Sequence, residues 1–263
     1  MHINSTKNLE TALFLFAHQD DEFGVFQKIA DEKENGSKIV CIYLTSGAPS
    51  NGCPLKRNRE SISVLKKLGV DDILFVGSDL SIADSTLIHN LNTASIWLED
   101  FFNSIQNFST IYIPAWEGGH PDHDAIHAIT IQISSNIGLL DKIRQFSLYH
   151  SHQCPSVFFR VLAPLALNGK IERSRIPIKN RFRFLIYALS YPSQTKSWIG
   201  LFPFVFFHYI FWGWQEVQPA SKNRIQSRPH IGELYYEKRK FASWLDVTEK
   251  INSYISYEKK GNK

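Results

Sequence analysis

The sequence predicts an α/β fold, a mostly parallel sheet with helices on both faces. Short apolar, β-branched runs alternate with segments of helical period between Thr11 and Tyr149, the pattern of parallel strands joined by crossover helices. The two densest clusters of His and acids, Ala17-His18-Gln19-Asp20-Asp21-Glu22 and His120-Pro121-Asp122-His123, each follow one of these runs. Open α/β sheets gather ligands at the carboxyl ends of their strands, so both clusters fall where chemistry is expected.

In chain order, Thr11 to Phe16 reads as a buried strand and Glu22 to Lys33 as a helix, with acids in the first turn as the helix dipole favours. Asn35-Gly36 closes that helix. Lys38 to Leu44 is a second strand, running into the loop Thr45-Ser46-Gly47-Ala48-Pro49 and completing a βαβ unit. Helical period returns from Pro54 to Leu68, with Ile62, Leu65 and Leu68 on one face and Gly69 as C-cap. Strand-like Ile73 to Val76, helix-like Leu91 to Ile105 and strand-like Thr110 to Pro114 follow. Trp116-Glu117-Gly118-Gly119 is a loop, Asp122 or Asp124 starts a helix reaching about Ile137, and Gln145 to Tyr149 is a fifth strand leading to His150 and His152. Residues 1–155 are accordingly assigned to a catalytic core.

Residues 156–263 read as an irregular, aromatic-rich C-terminal extension packed on the same domain, with a variable basic and aromatic region at about 171–230. Trp198 to Trp214 falls short of the roughly 20 residues of a spanning helix, and Pro203 interrupts it. A buried core helix or an oligomer interface are the favoured readings of this segment. Peripheral contact with a membrane surface, beside the basic stretch Arg173 to Arg183, is the third. Tyr235 to Tyr257 reads as a charged amphipathic helix.

With 263 residues, 43% of them hydrophobic and 21% charged, the chain is ordinary globular material. A net charge of +4, from 29 basic and 25 acidic residues, argues for no nucleic-acid partner. Cys41, Cys53 and Cys154 show no CxxC spacing, so neither a disulfide framework nor a cysteine zinc site is indicated. Met1 to Glu10 lacks the layout of a signal peptide, which points to the cytoplasm, with the inner face of the membrane as the location if the aromatic segment touches lipid.

Two imidazoles and one carboxylate make a metal site with an open position. His18 and Asp21 can bind one ion from a single turn, and His123, beyond another strand, can bring the third ligand. Asp20 is then free to act as general base, taking a proton from water that such an ion acidifies as it attacks a carbonyl carbon. His120 is the candidate to stabilise the oxyanion or protonate the leaving amine, with Asp122 orienting its ring. Either cluster alone would pass for a polar loop or helix cap, but two at strand ends in one alternation argue for a site. His89, His127, His208 and His230 are read as structural and Cys41 as core, while His150 and His152 are candidates to line the cleft.

The pair Ala17-His18-Gln19-Asp20-Asp21-Glu22 and His120-Pro121-Asp122-His123-Asp124 resembles the two signatures of the PIG-L/LmbE-like zinc-dependent N-deacetylases. Arg59-Glu60 followed by Leu68-Gly69-Val70 resembles that family's looser third pattern. The likeness covers about residues 11–150. It implies a Rossmann-like fold and removal of an N-acetyl group, commonly from N-acetylglucosamine in a glycoconjugate, with release of acetate and a free amine. It also implies His18, Asp21 and His123 as zinc ligands, Asp20 as general base, His120 as the oxyanion or leaving-group residue, and Arg59 as a substrate contact. Gln19 departs from the family, where proline is frequent at that position; the change bears on loop rigidity rather than chemistry.

The expectation is therefore a zinc-dependent N-deacetylase of an N-acetylated amino sugar, free or lipid-linked, whose ligand set also suits Fe(II). A metal-dependent amidase acting on a non-sugar or thiol-conjugate amide is one alternative, since the same chemistry serves it. A non-catalytic sugar-binding module is another, and Asp20 beside a full ligand set argues against it.

Overall fold

A computed structural model of the chain describes residues 9–261. All six residues of β1 (Thr11–Phe16) are buried. Their alternation sends Leu13 and Leu15 into one apolar cluster and Ala12, Phe14 and Phe16 into another, the two-sided burial of a central parallel strand. From β1 the chain passes through α1 (Phe26–Glu34) to β2 (Lys38–Tyr43), and through α2 (Leu55–Leu68) to β3 (Asp72–Leu74). The short α3 (Val76–Asp79) and α4 (Leu91–Ser104) lead to β4 (Phe108–Pro114), and α5 (Pro121–Asn136) to β5 (Ile143–Phe146). A two-stranded ribbon, β6 (Tyr149–His150) with β7 (Arg160–Val161), separates this part from β8 (Glu172–Arg175), α6 (Ile178–Ala188), α7 (Thr195–Phe207), β9 (Trp214–Pro219), α8 (Tyr235–Lys238) and α9 (Trp244–Gly261).

The main sheet has seven strands in the order β3-β2-β1-β4-β5-β9-β8. The first five are parallel, whereas β9 runs antiparallel to β5 and β8 antiparallel to β9. Apolar residues of α1, α2, α6 and α7 fill one face, and those of α4, α5 and α9 the other. The mostly parallel sheet with helices on both faces is thus the observed architecture, and the C-terminal extension contributes two strands to it.

Four local readings shift. The first helix does not begin at Glu22: Asp21–Gly24 is a 3-10 turn, and Glu22 points inward, its carboxylate accepting the Asp20 backbone N–H (2.7 Å) and the Tyr43 hydroxyl. Strand β5 ends at Phe146 instead of Tyr149, because the N–H groups of Leu148 and Tyr149 donate to the Glu117 carboxylate (2.7 and 2.9 Å). The helix expected over Tyr235 to Tyr257 is broken between α8 and α9, where Lys240 takes a φ of 59° that helix geometry excludes. Finally, the aromatic segment is not a fully buried core helix. α7 and the π turn His208–Trp212 bury Trp198, Val205 and Tyr209 but expose Ile199, Phe207, Phe211 and Trp212.

Candidate active site

Strands β1 and β4 are neighbours, with Phe14 paired to Tyr112, and the winding reverses between them. The loops leaving their carboxyl ends therefore open into one crevice at the switch point of the sheet. One loop carries His18, Asp20 and Asp21. The other carries His120, which caps α5, and His123, in that helix's first turn.

The capping residue is His120 itself rather than Asp122 or Asp124: its Nδ1 accepts the Asp122 backbone N–H at 3.2 Å. The imidazole is thereby a neutral tautomer with its proton on Nε2, 3.4 Å from the Ser85 hydroxyl. Burial, reinforced by the neighbouring His18, pushes its pKa down to about 3.

His18, Asp21 and His123 are all buried and offer ligand atoms within 4.8 Å of one another. His123 Nε2 lies 3.2 Å from Asp21 Oδ1 and His18 Nδ1 lies 3.6 Å from Asp21 Oδ2. Backbone N–H groups of Ala17 and His18 donate to Asp21 Oδ2 (3.0 and 2.8 Å), which fixes the carboxylate. The other side of the His18 ring faces acids, with Nε2 at 3.2 Å from both Asp122 Oδ2 and Asp84 Oδ1. Despite burial, Asp84, Asp122 and Asp21 hold the His18 pKa well above its ordinary value. Such a field favours positive charge at this point, whether a proton or a metal ion. The donor set, two imidazoles and a carboxylate with a carboxylate behind one imidazole, fits a divalent metal such as zinc. His18 also belongs to a second group with Asp84 and His120 that could hold an ion.

Asp122 holds His120 through its backbone N–H and not, as expected, through its side chain. Its carboxylate stands 4.0 Å from His120 Nδ1, whereas it touches His18 and accepts the N–H groups of Ser85 (2.7 Å) and Leu87 (3.0 Å). The reason is its place on the first turn of α5, from which the side chain reaches across to the segment 84–87 and to β1's loop.

Asp20 lines the same cavity, which measures about 390 Å³, within the roughly 300–1,000 Å³ usual for small-molecule sites. It is held at φ 125°, a conformation that L residues rarely adopt. Burial raises its pKa; Arg57 opposes, Asp21 and Glu22 add to the rise, and the result is about 7. Arg57 reaches Asp20 Oδ1 at 3.2 Å and the Gln19 carbonyl at 2.9 Å, and also donates to the Gly47 carbonyl. Arg59, the expected substrate contact, is exposed and does not line the cavity; Arg57 does. Two residues on a helix differ by about 200° in direction, so only one of the pair can face the crevice.

Gln19 is fully buried, and its amide donates to the Ser46 carbonyl (3.1 Å) and Asn58 Oδ1 (2.7 Å), tying the β1 loop to the β2 loop and to α2. His150 is occupied structurally: Nε2 donates to the Ala163 carbonyl at 2.7 Å and Nδ1 accepts the His152 N–H at 3.1 Å. Neither His150 nor His152 lines the cavity.

Several lining residues carried no signal of their own: Asp84 and Ser85 in a stretch without periodicity, Tyr149, and from the C-terminal part Phe159, Lys196, Tyr235, Arg239 and Phe241. Tyr235 is placed by its N–H bond to the Gly118 carbonyl (2.9 Å), and Phe241 lies against His120, the rings tilted by 54° with centroids 5.7 Å apart. A residue is legible in advance only when its neighbours in sequence announce it, and these are brought in by long-range contacts.

Residues 13–134, which span both loops, match the family model described as PIG-L, GlcNAc-PI de-N-acetylase. This segment is similar to the PIG-L family. Among solved structures, the zinc-inhibited form of teicoplanin deacetylase Orf2 superposes with a TM-score of 0.61 at 15% identity, covering 81% of this chain and 99% of that one. The A40926 pseudoaglycone deacetylase Dbv21 gives 0.59 at 17% identity, covering 81% and 97%. The N,N'-diacetylchitobiose deacetylase from Pyrococcus horikoshii gives 0.53 at 15%, covering 81% and 85%. At these identities the likeness establishes a shared fold, and it extends well beyond the PIG-L segment into the C-terminal part. No curated protein matches the chain in sequence.

Proposed function

We propose that the chain is a zinc-dependent hydrolase that removes the acetyl group from an N-acetylated amino sugar of a glycoconjugate, releasing acetate and a free amine. One observation carries this reading. The two loops that the family model spans hold a buried His-Asp-His set at one cavity, which His18 and Asp21 line with His123 directly behind Asp21, and beside it a carboxylate with a pKa near neutrality and a neutral imidazole. The hydrolytic deacetylase chemistry of the family needs those three functions.

His18, Asp21 and His123 would hold the ion, with Asp122 fixing the His18 ring from behind. When bound, zinc would supply Lewis acidity to polarise the acetyl carbonyl and lower the pKa of water towards neutrality. Asp20, at about 7, is suited to accept a proton from the attacking water. That proton is then available to the departing nitrogen as the C–N bond breaks. His120, neutral and with its N–H on Nε2, has the donor that a developing oxyanion needs. Arg57 steadies Asp20, and the aromatic wall from Phe159, Tyr235 and Phe241 offers a surface for the sugar ring.

Asp20→Asn should keep the metal yet lose about 10²- to 10⁴-fold in turnover. His18→Ala and His123→Ala should lose the metal itself. Amine release from a panel of N-acetyl sugars, with metal content measured on the same preparations, checks both; a metal-free protein with full activity overturns the proposal.

A further inference from the structure

From Arg173 to Gln215 the chain carries six Lys or Arg and no Asp or Glu. This stretch includes α6 and α7. Along α6 and its C-cap, Ile178, Phe182, Ile186 and Leu189 recur at helical spacing, and all are more than half exposed. On α7 and the turn after it, Ile199, Phe207, Phe211 and Trp212 are more than half exposed as well. The opposite faces of both helices are already used, since Phe184, Tyr187, Trp198, Val205 and Tyr209 pack into the core. The helices lie together: Phe184 meets Tyr209 at 5.8 Å, and the Arg181 guanidinium reaches the carbonyls of Ile210 and Gly213 at 3.5 Å. Two apolar stripes therefore stand on adjacent helices without a partner, a feature that marks an interaction surface.

We infer that the α6–α7 face docks on an anionic lipid surface, lying in the headgroup plane with Phe207, Phe211 and Trp212 inserted. Two observations select lipid. The exposed cations beside the stripes, Arg175, Lys179 and Lys196, have no acid in the segment to offset them, which suits an anionic leaflet and opposes pairing of this face with a second copy of itself. Among the described residues no helix is long and apolar enough to cross a membrane, so contact is in-plane. The face also continues to the cavity: Lys196, Gly200 and Leu201 of α7 line it, and Phe204 packs on Phe159, another lining residue, at 5.2 Å. Docking would bring the mouth of the cavity to the membrane, where the sugar of a lipid-linked glycoconjugate is presented; this consequence rests on the deacetylase reading, whereas the docking itself does not.

The test is flotation of the full chain with vesicles of phosphatidylcholine alone and of phosphatidylcholine with phosphatidylglycerol. The chain should float with the anionic vesicles, and less so as salt is raised. Phe207→Ser with Phe211→Ser should lower the partition by at least about tenfold, and Lys179→Glu by about fivefold or more. Neither change should alter hydrolysis of a soluble N-acetyl sugar, which separates failure of docking from failure of the catalytic reading. Lys179→Glu alters only surface charge and keeps the test decisive if the double variant misfolds. Absence of wild-type flotation on anionic vesicles, equal flotation of wild type and variants, or a wild-type dimer that the double variant splits into monomers would each overturn the inference.

Discussion

Asp20 shows how much of a site is decided around a single residue. Its φ of 125° turns the carboxylate into the cavity, and that conformation is held by Glu22 at the backbone N–H and by Arg57 at the side chain. Asp122 has a comparable supporting place, accepting from two backbone amides while facing His18. Asp122→Asn should retain the fold but weaken metal affinity by about 10- to 100-fold, because the carboxylate behind a ligating imidazole sets its orientation and basicity; competition with a chromophoric chelator measures it. The residues that the proposal assigns to the chemistry, His18, Asp20, Asp21, His120 and His123, stand out in the sequence because their types follow apolar runs. The partner of Asp122, and the choice of Arg57 over Arg59, were not legible, because both depend on helical phase.

At the scale of elements, one wall of the crevice depends on the β4 loop passing very close to β6, whose Tyr149 lines the cavity. A Cβ added to Gly119 would stand 2.1 Å from the Tyr149 carbonyl oxygen, a backbone atom that cannot move alone. Gly119→Ala should therefore displace either the His120 loop or β6, costing about 1–3 kcal/mol in stability, as overpacking does, together with much of the activity; denaturant melts and turnover on one preparation check it. The parallel strands were legible from apolar runs, and Gly69 did end α2 in the left-handed conformation expected of a C-cap. Strand β9 was not, since Trp214-Gln215-Glu216-Val217-Gln218-Pro219 contains three buried polar residues. Their partners are distant: Gln215 donates to the Gly24 carbonyl (2.6 Å), Gln218 to the Leu165 and Gly169 carbonyls (2.9 and 2.7 Å), and Glu216 pairs with Arg173 (2.6 Å). A strand stabilised by long-range hydrogen bonds has no local apolar signature.

Taken as a whole, the molecule buries several imidazoles in neutral form. His127 donates from Nδ1 to the Pro114 carbonyl (2.9 Å) and His208 from Nε2 to the Trp214 carbonyl (2.8 Å). Burial pushes the pKa of His127 and of His150 down to about 4, and lowers that of His208 as well. In the unfolded chain these groups titrate near an ordinary value of about 6.5. Between that value and about 4 the unfolded state binds more protons than the folded one, so the stability they contribute is present above pH 6.5 and is lost as the pH falls. Glu117 and Asp124, raised by burial to about 8, oppose this slope, so the contribution is read by comparison: in thermal melts the wild type should lose more Tm between pH 6.5 and 4 than His127→Gln does; an identical pH dependence in the two would contradict neutral burial.

The sequence by itself determined the inventory: an alternating α/β chain, two clusters of His and acidic side chains at strand ends, and the resemblance of those clusters to the signatures of a deacetylase family. These are local properties, written in residue type, period and spacing. The tertiary structure alone decided that β1 and β4 are neighbours at the point where the winding reverses, that His18 turns one nitrogen to Asp21 and the other to Asp122, and that the C-terminal part closes the cavity with aromatic and basic residues. Each of those depends on contacts between residues far apart in the chain, where burial and hydrogen-bond satisfaction select one arrangement among many that the local pattern allows.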